Sequence, residues 1–220
     1  MSRAPVIVLD YEAGNLKSVE NALTCLGAQF QVTRDPAVVR DAASVIFPGV
    51  GEAAASMAVL NRTGLAAALK DYVASGRKLL GICIGCQVIF EHSEERDTTC
   101  LGVVKGAVRR FAAGSGLKVP HMGWNAVHFT RAHPVFNGIP QDTRFYFVHS
   151  YYPDPADPRL AAAQTDYGIT FASCIARDAL VAFQCHVEKS GRYGLKLLQN
   201  FLAWDGKWSG AAARPAAAHA

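Results

Sequence analysis

The chain has no uninterrupted apolar stretch near the length of about 20 residues that a membrane-spanning helix needs. Its amino end also lacks the long apolar segment and small-residue cleavage site of a signal peptide. These two absences predict a cytoplasmic protein. An excess of one charge is missing too. Lys and Arg number 22 against 18 Asp and Glu, a net +4, and the basic residues are scattered rather than striped, so neither nucleic acid nor a membrane surface is expected as a partner. The six cysteines, at 25, 83, 86, 100, 174 and 185, follow no regular spacing. A chain of 220 residues, half of them hydrophobic, buries one core without covalent staples, so reduced thiols and a single domain over residues 1–205 are expected. After Gly206 the composition turns to Ala, Gly and Pro, and 206–220 is expected to be a disordered tail.

Present instead is an alternation of buried runs and amphipathic stretches. Val6 to Leu9 is apolar, and Leu16, Val19, Leu23 and Leu26 then recur at helical spacing until Gly27. Phe30 to Thr33 precedes a helical piece from Asp35 to Asp41. Ser44 to Phe47 leads through a glycine loop to Leu65, Leu69 and Val73, which end at Gly76. Lys78 to Ile82 is the next strand, with a helix expected from Ile84 to His92. Such alternation predicts an α/β fold, an open, mostly parallel twisted sheet flanked by helices. From Leu101 onward the pieces are shorter and strand-like: Val103 to Phe111, Ala126 to Phe129, Phe145 to Tyr151, Thr170 to Ile175 and Leu180 to Gln184. They read as smaller antiparallel elements, closed by a helix from Ser190 to about Trp204.

Two segments carry chemistry. Gly81-Ile82-Cys83-Ile84-Gly85 stands between a strand and a helix, the thiol form of a nucleophile elbow, where the first amides of the helix favour a thiolate. His186-Val187-Glu188 supplies an imidazole and a carboxylate two residues apart, a base and the group that orients it once a local bend aims one at the other. Other readings stand beside the triad. Cys83 and Cys86 form a Cys-x-x-Cys, Cys83, Cys86, Cys185 and His186 are zinc-type ligands, and each residue taken singly suits a core. Pairing a glycine-flanked cysteine with His-x-Glu favours the triad, with no metal and no cofactor. Pro48-Gly49-Val50-Gly51 follows a strand and lacks the Gly-Lys-Ser/Thr of a phosphate loop. Gly49, Val50 and Gly51 are therefore assigned to an oxyanion loop.

With Asp10-Tyr11, Gly14-Asn15-Leu16, Val119-Pro120-His121-Met122-Gly123-Trp124-Asn125 and Tyr146-Phe147-Val148-His149-Ser150-Tyr151 added, the sequence from about Val6 to Leu202 resembles the class I glutamine amidotransferases. More narrowly, it is similar to the glutaminase subunits of imidazole glycerol phosphate synthases. The resemblance implies that Cys83 attacks the side-chain amide of glutamine and that His186 and Glu188 complete the triad. It implies that Gln87, Glu95 or its neighbour Glu94, and the backbone of His149, Ser150 and Tyr151 hold the substrate. It further implies a heterodimer with a (β/α)₈ cyclase subunit that receives the ammonia, with Asn15, Trp124, Tyr146 and Lys189 at the interface. A paralogous glutaminase serving another synthase, or a silent partner-binding module, would share the fold. The sequence departs from the family's usual letters at Cys86, at Cys185, and at Val187, where a proline is common.

Overall fold

The computed structural model describes residues 4–12, 16–112, 117–208 and 210. In chain order it holds strand β1 (Val6–Leu9), helix α1 (Leu16–Cys25), β2 (Phe30–Thr33), α2 (Pro36–Asp41), β3 (Ser44–Phe47), α3 (Ala53–Arg62), α4 (Leu65–Ala74), β4 (Lys78–Ile82) and the one-turn helix α5 (Ile84–Gln87). The second half continues with β5 (His92–Ser93), β6 (Thr98–Thr99), β7 (Gly106–Arg110), β8 (His121–Phe129), β9 (Thr143–His149), β10 (Tyr151–Pro155), β11 (Ala161–Asp166), β12 (Thr170–Arg177), β13 (Leu180–Phe183) and α6 (Gly191–Ala203).

Nine strands form one sheet in the order β2-β1-β3-β4-β13-β12-β11-β8-β9. Neighbours from β2 to β13 run parallel and those from β13 to β9 antiparallel, so the expected antiparallel elements are largely the other half of the same sheet. A small sheet, β10-β7-β5-β6, lies apart. The α/β class holds, and the central sheet is mixed.

The central strands are buried on both faces, and alternate residues divide between two cores. Val8, Ile46, Leu80 and Val181 join one with Leu23 of α1 and Leu197, Leu198 and Phe201 of α6. Leu9, Phe47, Leu79 and Leu180 join the other with Val39, Met57, Leu60, Leu69 and Tyr72 of α2, α3 and α4. This is the period of two expected of a sheet covered on both sides.

Three expectations change. The helix after Cys83 ends at Gln87 rather than His92, because the carbonyls of Val88, Ile89, Phe90 and Glu91 accept amides from residues 100–104 instead of continuing a helix. The run Phe145 to Tyr151 is not one strand, for it leaves the large sheet after His149 and enters the small one at Tyr151. The chain beyond Gly206 is packed as far as Trp208, whose indole N–H donates to the Ala132 carbonyl at 2.7 Å and whose ring lies on His133. Residues 209 and 211–220 of the expected tail lie outside the described residues. No helix among the described residues is long and apolar enough to cross a membrane.

Candidate active site

Strands β4 and β13 are parallel neighbours with Ile82 opposite Phe183, so the residues just beyond them emerge side by side at the carboxyl ends of the central strands. That adjacency brings Cys83 to the segment Gln184-Cys185-His186, and the Cys83 amide donates to the Phe183 carbonyl at 2.8 Å. It is also where an open α/β sheet leaves a crevice for a ligand.

Cys83 adopts φ 52°, ψ −107°, a conformation that L-residues avoid and that costs of order 1–3 kcal/mol. The turn depends on Gly85, since a Cβ there would lie 1.9 Å from the Phe47 carbonyl oxygen. His186 ends the extended segment, and residues Val187–Lys189 wind into a single 3-10 turn. This is the bend that aims the carboxylate, and it forms with Val187 at its first position. Glu188 Oε1 lies 2.7 Å from His186 Nδ1, with side-chain exposures of 4% and 1%. The turn is anchored to β9: the His186 amide donates to the Tyr146 carbonyl at 2.9 Å, and Ser190 Oγ accepts from the Tyr146 amide while donating to the His186 carbonyl.

His186 Nε2 is buried and has no hydrogen-bond partner of standard geometry among the described residues. It faces the Cys83 sulfur. Burial alone would lower the imidazole's pKa, but the Cys83 sulfur and the Glu188 carboxylate outweigh it and push the value up to about 10. The histidine is thus set to hold a proton beside the sulfur. Cys86, by contrast, is fully buried, and burial pushes its thiol well up, so it behaves as a core residue rather than as half of a redox pair. Among the described residues no three His, Cys, Asp or Glu side chains gather as metal ligands would.

A cavity of about 230 Å³ opens on Cys83, lined by Gly51, Ile84, Gln87, Glu95, Pro120, Val148, His149, Ser150 and Tyr151. All five residues named for substrate binding border it. Glu95, not Glu94, is the inward carboxylate: its Oε2 accepts the Ala53 amide at 2.7 Å, whereas Glu94 turns outward to Arg109 and the Arg110 amide. Burial raises Glu95 above its ordinary pKa. The side chain of His149 turns from the cavity, its Nδ1 bonded to the Tyr151 carbonyl at 2.7 Å and its Nε2 to His121 at 2.9 Å.

The loop Gly49–Gly51 is held by a residue whose role the sequence did not reveal. Tyr11, after β1, donates its hydroxyl to the Pro48 carbonyl at 2.8 Å and packs edge-on against Phe47. A Cβ on Gly49 would lie 2.0 Å from that hydroxyl. Gln184 was missed as well. It is fully buried, its Nε2 lies 3.8 Å from Cys83 Sγ, and its Oε1 accepts from Gln87 Nε2 at 2.9 Å. Its signal was a polar side chain ending the apolar run of β13, a residue that burial obliges to find partners.

On the surface nearby, Trp124 is 53% exposed and meets Tyr146 edge-on, with exposed Lys189 on the adjoining turn. Asn15 lies outside the described residues.

The chain belongs to the glutamine amidotransferase class-I family, whose model matches residues 7–204. Within that class its relatives are narrower in kind. It is 51% identical over 197 residues to imidazole glycerol phosphate synthase subunit HisH of Dehalococcoides mccartyi (strain ATCC BAA-2266 / KCTC 15142 / 195), covering 89% of this chain and 95% of the relative. It is 50% identical over 209 residues to the subunit of the same name from Chromobacterium violaceum, covering 91% and 98%. Solved structures share the fold at lower identity. A glutamine amidotransferase superposes with TM-score 0.70 at 18% identity, covering 90% of this chain and 97% of that one. PurLQS from Thermotoga maritima superposes with TM-score 0.69 at 16% identity, covering 91% and 99%.

Proposed function

We propose that this chain is the glutaminase half of an imidazole glycerol phosphate synthase. It hydrolyses glutamine to glutamate and ammonia and passes the ammonia to a (β/α)₈ cyclase partner, which makes imidazole glycerol phosphate and aminoimidazole carboxamide ribotide for histidine biosynthesis. The observation that carries the reading is the placement of buried His186 between a Glu188 carboxylate 2.7 Å away and the sulfur of Cys83, which itself lines a cavity of about 230 Å³.

The steps follow from that geometry. His186 takes the Cys83 proton, and Glu188 stabilises the imidazolium and fixes its tautomer by accepting from Nδ1. The thiolate adds to the carboxamide carbon, His186 returns the proton to the departing ammonia, and a glutamyl thioester remains. Water then attacks with His186 as base, releasing glutamate and restoring the thiolate. Amides of Gly49, Val50 and Gly51 serve the oxyanion, each such donor worth roughly 3 kcal/mol in comparable sites. Glu95 and Gln87 fix the polar groups of glutamine, and the backbone of His149 to Tyr151 takes its carboxylate.

Trp124, Tyr146 and Lys189 form the cyclase-facing surface. Tyr146 is bonded through its own backbone to His186, so docking there reaches the base through one residue. A cytoplasmic location belongs to the same proposal, in keeping with six cysteines that are all free thiols.

The test is glutamate release by the purified chain, alone and with the cyclase subunit and its nucleotide ligand. A large ligand-dependent rise that Cys83→Ser abolishes is expected. Turnover indifferent to this cyclase would point to another synthase, and no turnover under any condition would point to a silent binding module.

A further inference from the structure

The hydrogen bonds behind Cys83 have a single possible polarity. The Tyr151 carbonyl is an acceptor alone, and it takes Gln87 Nε2 at 3.0 Å and His149 Nδ1 at 2.7 Å. The end of Gln87 turned toward it is therefore the amide NH₂. The second hydrogen of that NH₂ points at Gln184, 2.9 Å away, which must present its oxygen. Gln184 then carries its own NH₂ at the opposite end, the end 3.8 Å from Cys83 Sγ. Side-chain amides are ordinarily ambiguous in orientation, but here a backbone carbonyl fixes two of them in series.

The other branch obeys the same rule. His149 donates from Nδ1, so its Nε2 is the acceptor and His121 Nδ1 the donor, and His121 Nε2 accepts from Asn125 Nδ2 at 3.2 Å. Burial holds both imidazoles neutral, with pKa values lowered to about 3 for His149 and about 4 for His121, which keeps those roles in place. Both branches end on the Tyr151 carbonyl, so it cannot swing away and release Gln87.

We propose that Gln184 is a further catalytic residue of this site: its amide N–H donates to the Cys83 sulfur and favours the thiolate, while Gln87 is the positioning residue that turns that N–H inward. The proposal rests on Cys83 being the nucleophile. A hydrogen bond strengthens when its acceptor becomes an anion, so Gln184 assists at two moments. The first is attack, when the sulfur lone pair forms the S–C bond, the C–N bond breaks and ammonia leaves with the proton from His186. The second is breakdown of the thioester, when water forms a new C–O bond and gives a proton to His186. The C–S bond then breaks, and the sulfur departs with the electron pair toward the Gln184 N–H. Gln184 itself exchanges no proton.

The experiment follows alkylation of Cys83 by iodoacetamide across pH in the full-length chain, read by mass spectrometry on the Cys83 peptide. Gln184→Met removes the donor at similar volume, and Gln184→Glu keeps an oxygen for Gln87 while placing a second oxygen against the sulfur. Near neutral pH the rate at Cys83 should fall about tenfold in Gln184→Met, and further in Gln184→Glu. The difference should vanish at high pH, where the thiol ionises in every form. Gln87→Leu, which frees Gln184 without touching the sulfur, should shift the profile in the same direction by less, and it keeps the test alive if a Gln184 variant fails to fold by circular dichroism. Coincident profiles in the folded variants would overturn the proposal. If wild-type Cys83 reacted no faster than exposed Cys25 near neutral pH, the assignment of Cys83 as nucleophile would fail instead.

Discussion

At the scale of single residues, the site consists of groups placed by their immediate neighbours. His186→Ala should lower glutamate release by the cyclase complex about 10²- to 10⁴-fold, the usual worth of a positioned base. Glu188→Gln keeps an oxygen for Nδ1 but removes the charge, so its loss should be smaller and its pH profile displaced toward lower pH, since the carboxylate helps raise His186. Steady-state kinetics against pH check both. A second prediction concerns Tyr11 and Gly49. Gly49→Ala would drive its Cβ to 2.0 Å from the Tyr11 hydroxyl, and Tyr11→Phe removes that oxygen. Each single variant should impair turnover, Tyr11→Phe by leaving the Pro48 carbonyl without its donor, at about 1–3 kcal/mol of stability. The double variant should be less impaired than the sum, which a double-mutant cycle reads as coupling. Strict additivity would show that the hydroxyl does not crowd that position.

At the scale of elements, two packed turns set the distance between Cys83 and His186. Helix α6 approaches the turn carrying His186 so closely that a Cβ on Gly194 would lie 1.9 Å from the Val187 carbonyl oxygen. Gly194→Ala should therefore displace Val187 and, with it, Glu188. We expect a lower melting temperature together with a fall in kcat out of proportion to KM, and unchanged kinetics would contradict this coupling of helix to triad.

The parallel half of the sheet was legible because strands buried on both faces write themselves as unbroken apolar runs, as in Val6–Leu9 and Leu180–Phe183. Helix α3 was not, since its alanines give weak contrast between faces and its start follows a glycine loop. The shortness of α5 was hidden because Val88, Ile89 and Phe90 are as apolar as a core helix. What ends the helix is a distant segment, residues 100–104, which claims their carbonyls. The residues of the proposed triad could be read from local motifs, whereas Gln184 and Tyr11 bond to partners up to 101 and 37 residues away in sequence.

For the whole molecule, three buried imidazoles link stability to pH. His121, His133 and His149 are lowered by burial from an ordinary 6.5 to about 4, about 3 and about 3. A depressed histidine binds its proton more readily in the unfolded chain, so between those values and 6.5 unfolding takes up protons and is favoured as pH falls. The contribution of these three should be constant above about pH 7 and decline progressively below about 6.5, whereas His186, raised to about 10, gives up its stabilisation as pH climbs from 6.5 toward that value. Urea unfolding over that range checks it, and His133→Asn, outside the active site, should flatten part of the slope.

In the proposed reaction Cys83, in its cavity, attacks the side-chain carbonyl of glutamine. The most direct measurement is labelling of the cyclase complex with an electrophilic glutamine analogue, followed by peptide mass spectrometry. A single adduct on Cys83, slowed by glutamine and absent in His186→Ala over the same interval, is the predicted result. An adduct on any other cysteine, or labelling of Cys83 that glutamine does not slow, would rule out Cys83 as the group that attacks glutamine.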